Sequence, residues 1–296
     1  MSLSLLKQCV LRGYYCATLP SRRRAAARRA KQQTEPVCIL FYHRVADDHP
    51  NGWTMPTATF AKQIAWLRSR FDIVSLAEAQ TRIAAGRNGH PAVCITFDDG
   101  YADNMRFAAP LLLKHKIPFT YFVSTNYVLG GEPFPHDVKA GRPLAPNTTD
   151  DLHELAAAGV EIGAHTRSHL DLGRERATIE LEDEIAGCQR ELEAVLRTKV
   201  RYFAFPYGLP ENLSARAFRV AYSAGYEGVC SAYGGYNFPG DDPFHLRRIH
   251  ADPEMIRFKN WMTIDLRKLR KQRDFDPGDY RELAITHPRD ASTCFS

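Results

Sequence analysis

No run of about 18 uncharged apolar residues, the length needed to cross a bilayer, occurs in this 296-residue sequence, so a membrane-spanning helix is excluded. The seven cysteines (Cys9, Cys16, Cys38, Cys94, Cys188, Cys230 and Cys294) include no C-x-x-C pair, which removes the dithiol redox and cysteine-zinc signatures. Odd in number and scattered, they fit a reduced compartment better than a disulfide framework. Cys38, Cys94 and Cys230 lie in apolar runs, where a free cysteine behaves as a small core residue. The first 20 residues make a poor signal peptide, because Lys7 and Arg12 interrupt what should be its apolar centre. The expected location is therefore the cytoplasm or the cytoplasmic face of the membrane. No internal repeat is found, and no basic stripe with interleaved aromatics, so no nucleic acid partner is expected.

Charge is present but uneven. Residues 1–35 carry Lys7, Arg12, Arg22, Arg23, Arg24, Arg28, Arg29 and Lys31 against Glu35 alone, so this arm holds +7 of a total of +5 and leaves −2 for the rest. A basic arm on a near-neutral body is expected to meet an anionic membrane surface. Leu3, Leu6, Val10 and Tyr14 recur at helical spacing, which suits a short amphipathic anchor. Three parts follow: a basic arm (1–35), a catalytic domain (36–265) and a charged tail (266–296), which is expected to leave the domain near Arg267, Lys268, Arg270 and Lys271.

From residue 36 short apolar runs alternate with amphipathic segments, the pattern of an α/β fold. Strands are expected at 37–42, 72–74, 92–97, 118–123, 160–163, 202–205, 228–231 and 244–249, and helices at 57–70, 76–85, 104–115, 149–158, 178–197 and 213–224. Parallel strands joined by helices close most naturally into a barrel. Residues 126–147, rich in Gly and Pro without a clean period, read as an ordered functional loop.

Two constellations carry chemistry. Thr96-Phe97-Asp98-Asp99-Gly100 is an apolar strand ending in adjacent carboxylates, which repel one another unless a cation or a shared proton separates their roles. His165-Thr166-Arg167-Ser168-His169 sets two imidazoles four residues apart, where a helical turn would aim both at one ion. Alone, each also reads as a turn or cap. Together Asp99, His165 and His169 supply a carboxylate and two imidazoles, leaving positions open for water and substrate as catalytic zinc sites do. Zinc suits that set, although cobalt, nickel or iron could occupy it.

With these motifs the chain resembles the polysaccharide deacetylase family, also called carbohydrate esterase family 4 or the NodB-homology domain. The likeness runs over residues 37–260, through Ile39-Leu40-Phe41-Tyr42-His43-Arg44-Val45, Ile95 to Tyr101, Glu161 to His169, and Phe203-Ala204-Phe205-Pro206-Tyr207-Gly208. The resemblance implies an irregular (β/α) barrel of seven strands and metal-dependent hydrolysis of N-acetyl, less readily O-acetyl, groups on the sugars of a polysaccharide or its precursor. It also implies Asp98 as general base, Asp99, His165 and His169 as metal ligands, and the Tyr207 backbone amide as an oxyanion donor.

The sequence departs from the family pattern in two places. Ala204 stands where many relatives carry an arginine, and no aspartate–tryptophan motif is evident between Gly208 and His245. Asp98 thus needs another orienting partner, and Arg248 is the expected one, with Arg201 a weaker choice and Arg247 expected at the surface. For the general acid His43 is preferred, since the motif order resembles that of poly-N-acetylglucosamine deacetylases, where this histidine comes first. His250 and His287, the latter in Leu283-Ala284-Ile285-Thr286-His287, remain alternatives. A ring-amide hydrolase and a non-catalytic glycan-binding relative stay open as rival functions.

Overall fold

The computed structural model describes residues 5–174, 176–272 and 274–281. Seven parallel strands, β1 (Val37–Tyr42), β2 (Ala92–Phe97), β3 (Thr120–Val123), β4 (Glu161–Ala164), β5 (Tyr202–Ala204), β6 (Gly228–Ser231) and β7 (His245–His250), follow one another round a ring in chain order. β1 closes the barrel, pairing with β2 from Val37–Ala92 to Tyr42–Phe97 and with β7 at Ile39–Arg248 and Phe41–His250. The expected strand at 72–74 is a two-residue strand, Asp72–Ile73, lying beside the start of β2 and outside the closure.

Alternation of side chains along each strand separates two cores. Ile39, Cys94, Phe122, Ala204, Cys230 and Leu246 belong to a cluster inside the barrel. Their neighbours Leu40, Ile95 and Phe203 join a larger one with the surrounding helices. The helices begin where the sequence offers caps. Ser75 accepts from the Glu78 N–H at 3.1 Å at the start of the helix Leu76–Ala84, and Thr148 with Asp151 forms a capping box for Thr149–Ala157. The expected helix at 178–197 is interrupted: Thr178–Glu182 and Cys188–Leu196 flank a π-helical turn, Asp183–Gly187.

The basic arm is a helix, α1 (Leu5–Gln32), with Pro20 inside it. Buried Arg22 fixes it to the helix Met255–Met262, donating to the Asn260 carbonyl and side-chain oxygens at 2.8 Å each, while Tyr14 donates to Asp265 at 3.0 Å. Among the described tail residues, Phe275 stacks on Phe218 and buried Tyr280 donates to Asp242, so this stretch folds back on the barrel. Aromatic side chains there outweigh the charged run that precedes them.

Candidate active site

The inward alternation that fills the barrel also delivers the polar groups to its mouth. On β2 the series Cys94, Thr96 runs on to Asp98, on β7 Leu246 runs to Arg248 and His250, and on β1 Ile39 and Phe41 run to His43. All emerge at the C-terminal ends of the strands, where a (β/α) barrel places its chemistry. Four residues there hold the left-handed backbone that side chains disfavour: Asp99 (φ 73°), Thr166 (φ 62°), His169 (φ 57°) and Tyr207 (φ 61°). Gly100 follows Asp99 at φ 80°, and a Cβ on it would lie 2.9 Å from Val123 Cγ1.

Asp99 lies at the bottom of the mouth. Its Oδ1 is 3.5 Å from His165 Nε2 and 3.3 Å from His169 Nε2, and the three groups' ligand atoms lie within 4.8 Å of one another. His165 Nδ1 is 2.7 Å from the Ala204 carbonyl, which can only accept, so the proton sits on Nδ1 and Nε2 presents its lone pair. Asp99 Oδ1 is buried with no hydrogen-bond partner. Tetrahedral ligands about 2.0–2.1 Å from zinc are roughly 3.3 Å apart, so a divalent ion fits these atoms. The His-x-x-x-His segment is a loop, not the helical turn expected from spacing, and its two left-handed residues bring the imidazoles together.

Asp98 is gripped by Arg248, whose Nη1 donates to Oδ1 at 2.6 Å and Nη2 to Oδ2 at 2.8 Å. The guanidinium is fully buried, anchored through Nε to the Ser231 carbonyl (3.0 Å) and through Nη1 to Thr96 Oγ1 (3.1 Å), and lies 5.0 Å over the Phe41 ring. Burial raises the Asp98 carboxyl, and Arg248 more than offsets it, leaving the group below its ordinary range. Small Ala204 and Cys230 share this inner layer, so the barrel has room for an arginine from β7. Arg201 instead pairs with Glu161 on the outside, and Arg247, expected at the surface, is buried between Asp241 and Asp274.

His43 and His250 stand side by side on neighbouring strands, with Phe41 5.7 and 5.3 Å from their rings. Burial lowers both imidazoles, His250 to about 4, while Asp99 and Asp98 push His43 back up. These groups line one cavity of about 360 Å³ together with exposed Trp53 and Tyr207. Tyr207 stacks edge-on to His169 at 5.1 Å. Of the sequence candidates the mouth gathers Asp98, Asp99, His165, His169, Arg248, His43, His250 and Tyr207, and His287 lies outside the described residues. Among the lining residues that escaped the sequence reading are two with rings. Trp53 sits 6.3 Å from His43, and His136, in the short helix Pro135–Lys139 that the expected loop at 126–147 contains, is held by Tyr101 Oη at 3.1 Å.

Comparison with known proteins agrees with this architecture. Residues 85–229 match the family model described as polysaccharide deacetylase. The protein YxkH of Bacillus subtilis (strain 168), which carries the name of a polysaccharide deacetylase, is 23% identical over 219 residues, 73% of this chain and 72% of that one. A chitooligosaccharide deacetylase of Bradyrhizobium sp. (strain ANU 289) is 28% identical over 127 residues, 41% of this chain and 48% of that one. The structure of IcaB from Ammonifex degensii superposes with a TM-score of 0.64 at 25% identity, over 78% of this chain and 98% of that one.

Proposed function

Because this chain belongs to the polysaccharide deacetylase family, we propose that it is a metal-dependent hydrolase that removes N-acetyl groups from the sugars of a polysaccharide or its precursor. The observation that carries metal dependence is the buried, unpartnered Asp99 Oδ1 facing two imidazole nitrogens. A divalent ion held by Asp99, His165 and His169, most suitably zinc with cobalt, nickel or iron as substitutes, supplies Lewis acidity toward the acetyl carbonyl and an attacking water. Asp98 takes the proton of that water at a carboxylate oxygen, with Arg248 fixing its plane. The Tyr207 backbone N–H donates to the oxygen that gains negative charge as the carbonyl becomes tetrahedral. An amine departs only once protonated, which favours an amide substrate for a site with a histidine beside the base. Zinc-loaded protein should release most acetate from N-acetylated oligosaccharides and less from O-acetylated ones, and should open no cyclic ring amide. Turnover confined to ring amides would overturn the assignment.

His43 is the acid of choice. Adjacent imidazoles resist carrying two charges, and the carboxylates Asp98 and Asp99 favour the proton on His43. His43→Ala should lower kcat roughly a hundredfold at unchanged zinc content, and His250→Ala much less. The reverse ranking would give the acid role to His250.

Helix α1 is our candidate for a membrane contact, although no described helix is long and apolar enough to cross one. Eighteen residues make five helical turns, so exposed Leu6 and Val10 share a face with exposed Arg24 and Arg28, away from buried Arg22. Near an anionic bilayer each basic residue contributes about 1 kcal/mol. Replacing Arg24, Arg28 and Lys31 by Glu should therefore cut partition to phosphatidylserine vesicles by about a hundredfold or more, with turnover of a soluble oligosaccharide unchanged. Equal partition of variant and parent in low salt would rule the contact out.

A further inference from the structure

The loop from His165 to His169 lies on the π-helical turn Asp183–Gly187. Glu184, 8% exposed, turns its carboxylate under the loop and accepts three hydrogen bonds from it. The donors are the Arg167 N–H (3.0 Å) and Ser168 N–H (2.9 Å) on Oε2 and the Ser168 hydroxyl (2.6 Å) on Oε1. Neighbouring Asp183 takes the Arg167 guanidinium at 2.8 and 2.7 Å, and Glu191 takes its other nitrogen at 2.7 Å. Gly187 lets the helix come this close, since a Cβ there would meet Arg167 Cδ at 3.0 Å. The opposite side of the loop is tied to the end of β3, where Ser124 Oγ donates to the His165 carbonyl at 2.7 Å and the Asn126 N–H to the Arg167 carbonyl at 2.9 Å.

We propose that Glu184 is a positioning residue for the metal site, the group that holds His165 and His169 in ligating geometry. The loop contains two left-handed residues, Thr166 and His169, and such backbone persists only where its surroundings hold it. Two backbone N–H groups of the loop converge on Oε2 and the Ser168 hydroxyl meets Oε1, so one side chain satisfies three polar groups that would otherwise be left without partners. A π-helical turn is a rare departure from the regular helix, found mostly where a site uses it, and here it carries both Asp183 and Glu184. The inference rests on the reading of Asp99, His165 and His169 as ligands.

The test is the zinc dissociation constant, measured by competition with a chromophoric chelator, beside the melting temperatures of zinc-free and zinc-loaded protein. In Glu184→Ala the constant should rise roughly 10–100-fold, as it does when partners of ligating histidines are lost, and the gain in melting temperature on loading should shrink. Ser168→Ala removes one of the three donors and keeps the acid. It should weaken zinc several-fold, and it carries the test if Glu184→Ala does not fold. A purely structural Glu184 predicts equal losses in both melting temperatures with an unchanged zinc constant, and that result in Glu184→Ala, or an unchanged constant in Ser168→Ala, overturns the proposal. Parent protein that binds no zinc overturns the ligand reading itself and this inference with it.

Discussion

Asp99→Asn should lose stoichiometric zinc and, with it, at least about a thousandfold in turnover, since Lewis-acid stabilisation is worth several kcal/mol and each 1.36 kcal/mol is tenfold. The substitution keeps the side chain's shape and its Oδ1, so the barrel should fold as before. What disappears is the negative charge that makes this oxygen, buried beside two imidazole nitrogens without a hydrogen bond, a strong ligand for a divalent ion. His165→Ala should act in the same way, because its tautomer is committed by the Ala204 carbonyl and, among the described residues, the possible ligand group holds only Asp99 and His169 besides it. Metal analysis after dialysis separates this from a rival in which Asp99 is simply bridged by protonated histidines. The rival predicts parent protein with no bound ion and full activity in a chelator; that outcome would sink the metal assignment.

The parts of the site that were readable from sequence are those set by strand period. Apolar runs ending in Asp98-Asp99 and in His165 fix both the strands and the mouth at which they end, because a buried strand leaves polar residues only where it stops. Arg248 was harder to separate from Arg247. Which of the two faces inward depends on the phase of β7, and that is set by its pairing with β1 at Ile39–Arg248. His136 had no local signal, since its place follows from Tyr101 and Phe134 packing across a segment without a period. The π-helical turn was hidden because residues 178–197 keep an unbroken helical pattern, and its contacts are with a loop distant in the pattern, through Glu184 and the Arg167 N–H. The depth to which α1 is fastened was also unreadable. One arginine in a basic tract, Arg22, is buried against Asn260 while Arg23 and Arg24 beside it stay exposed.

Asp98 and Arg248 make the second large prediction, and they fail in opposite ways. Asp98→Asn should bind zinc normally and lose roughly a hundredfold or more in kcat, because the amide cannot take the water's proton. It should also lose stability, since the amide N–H₂ meets Arg248 Nη2 donor to donor and leaves a buried cation poorly compensated, a loss of about 3–5 kcal/mol when such a pair is broken. Arg248→Ala leaves the buried base without its cation. In the parent the guanidinium outweighs burial and keeps Asp98 ionised throughout the neutral range. Without it burial is opposed only by His165 and His43, and the carboxyl rises from its place in the parent. The base form is then lost as pH falls, so kcat of Arg248→Ala should be poor near neutrality and recover with rising pH, while Asp98→Asn stays inactive at every pH. Arg248→Lys keeps the charge without the two parallel bonds and should lie between parent and Arg248→Ala, with a smaller displacement of the acid limb. A wild-type rate in Asp98→Asn would move the base elsewhere. An Arg248→Ala profile parallel to the parent's would leave Arg248 as packing alone.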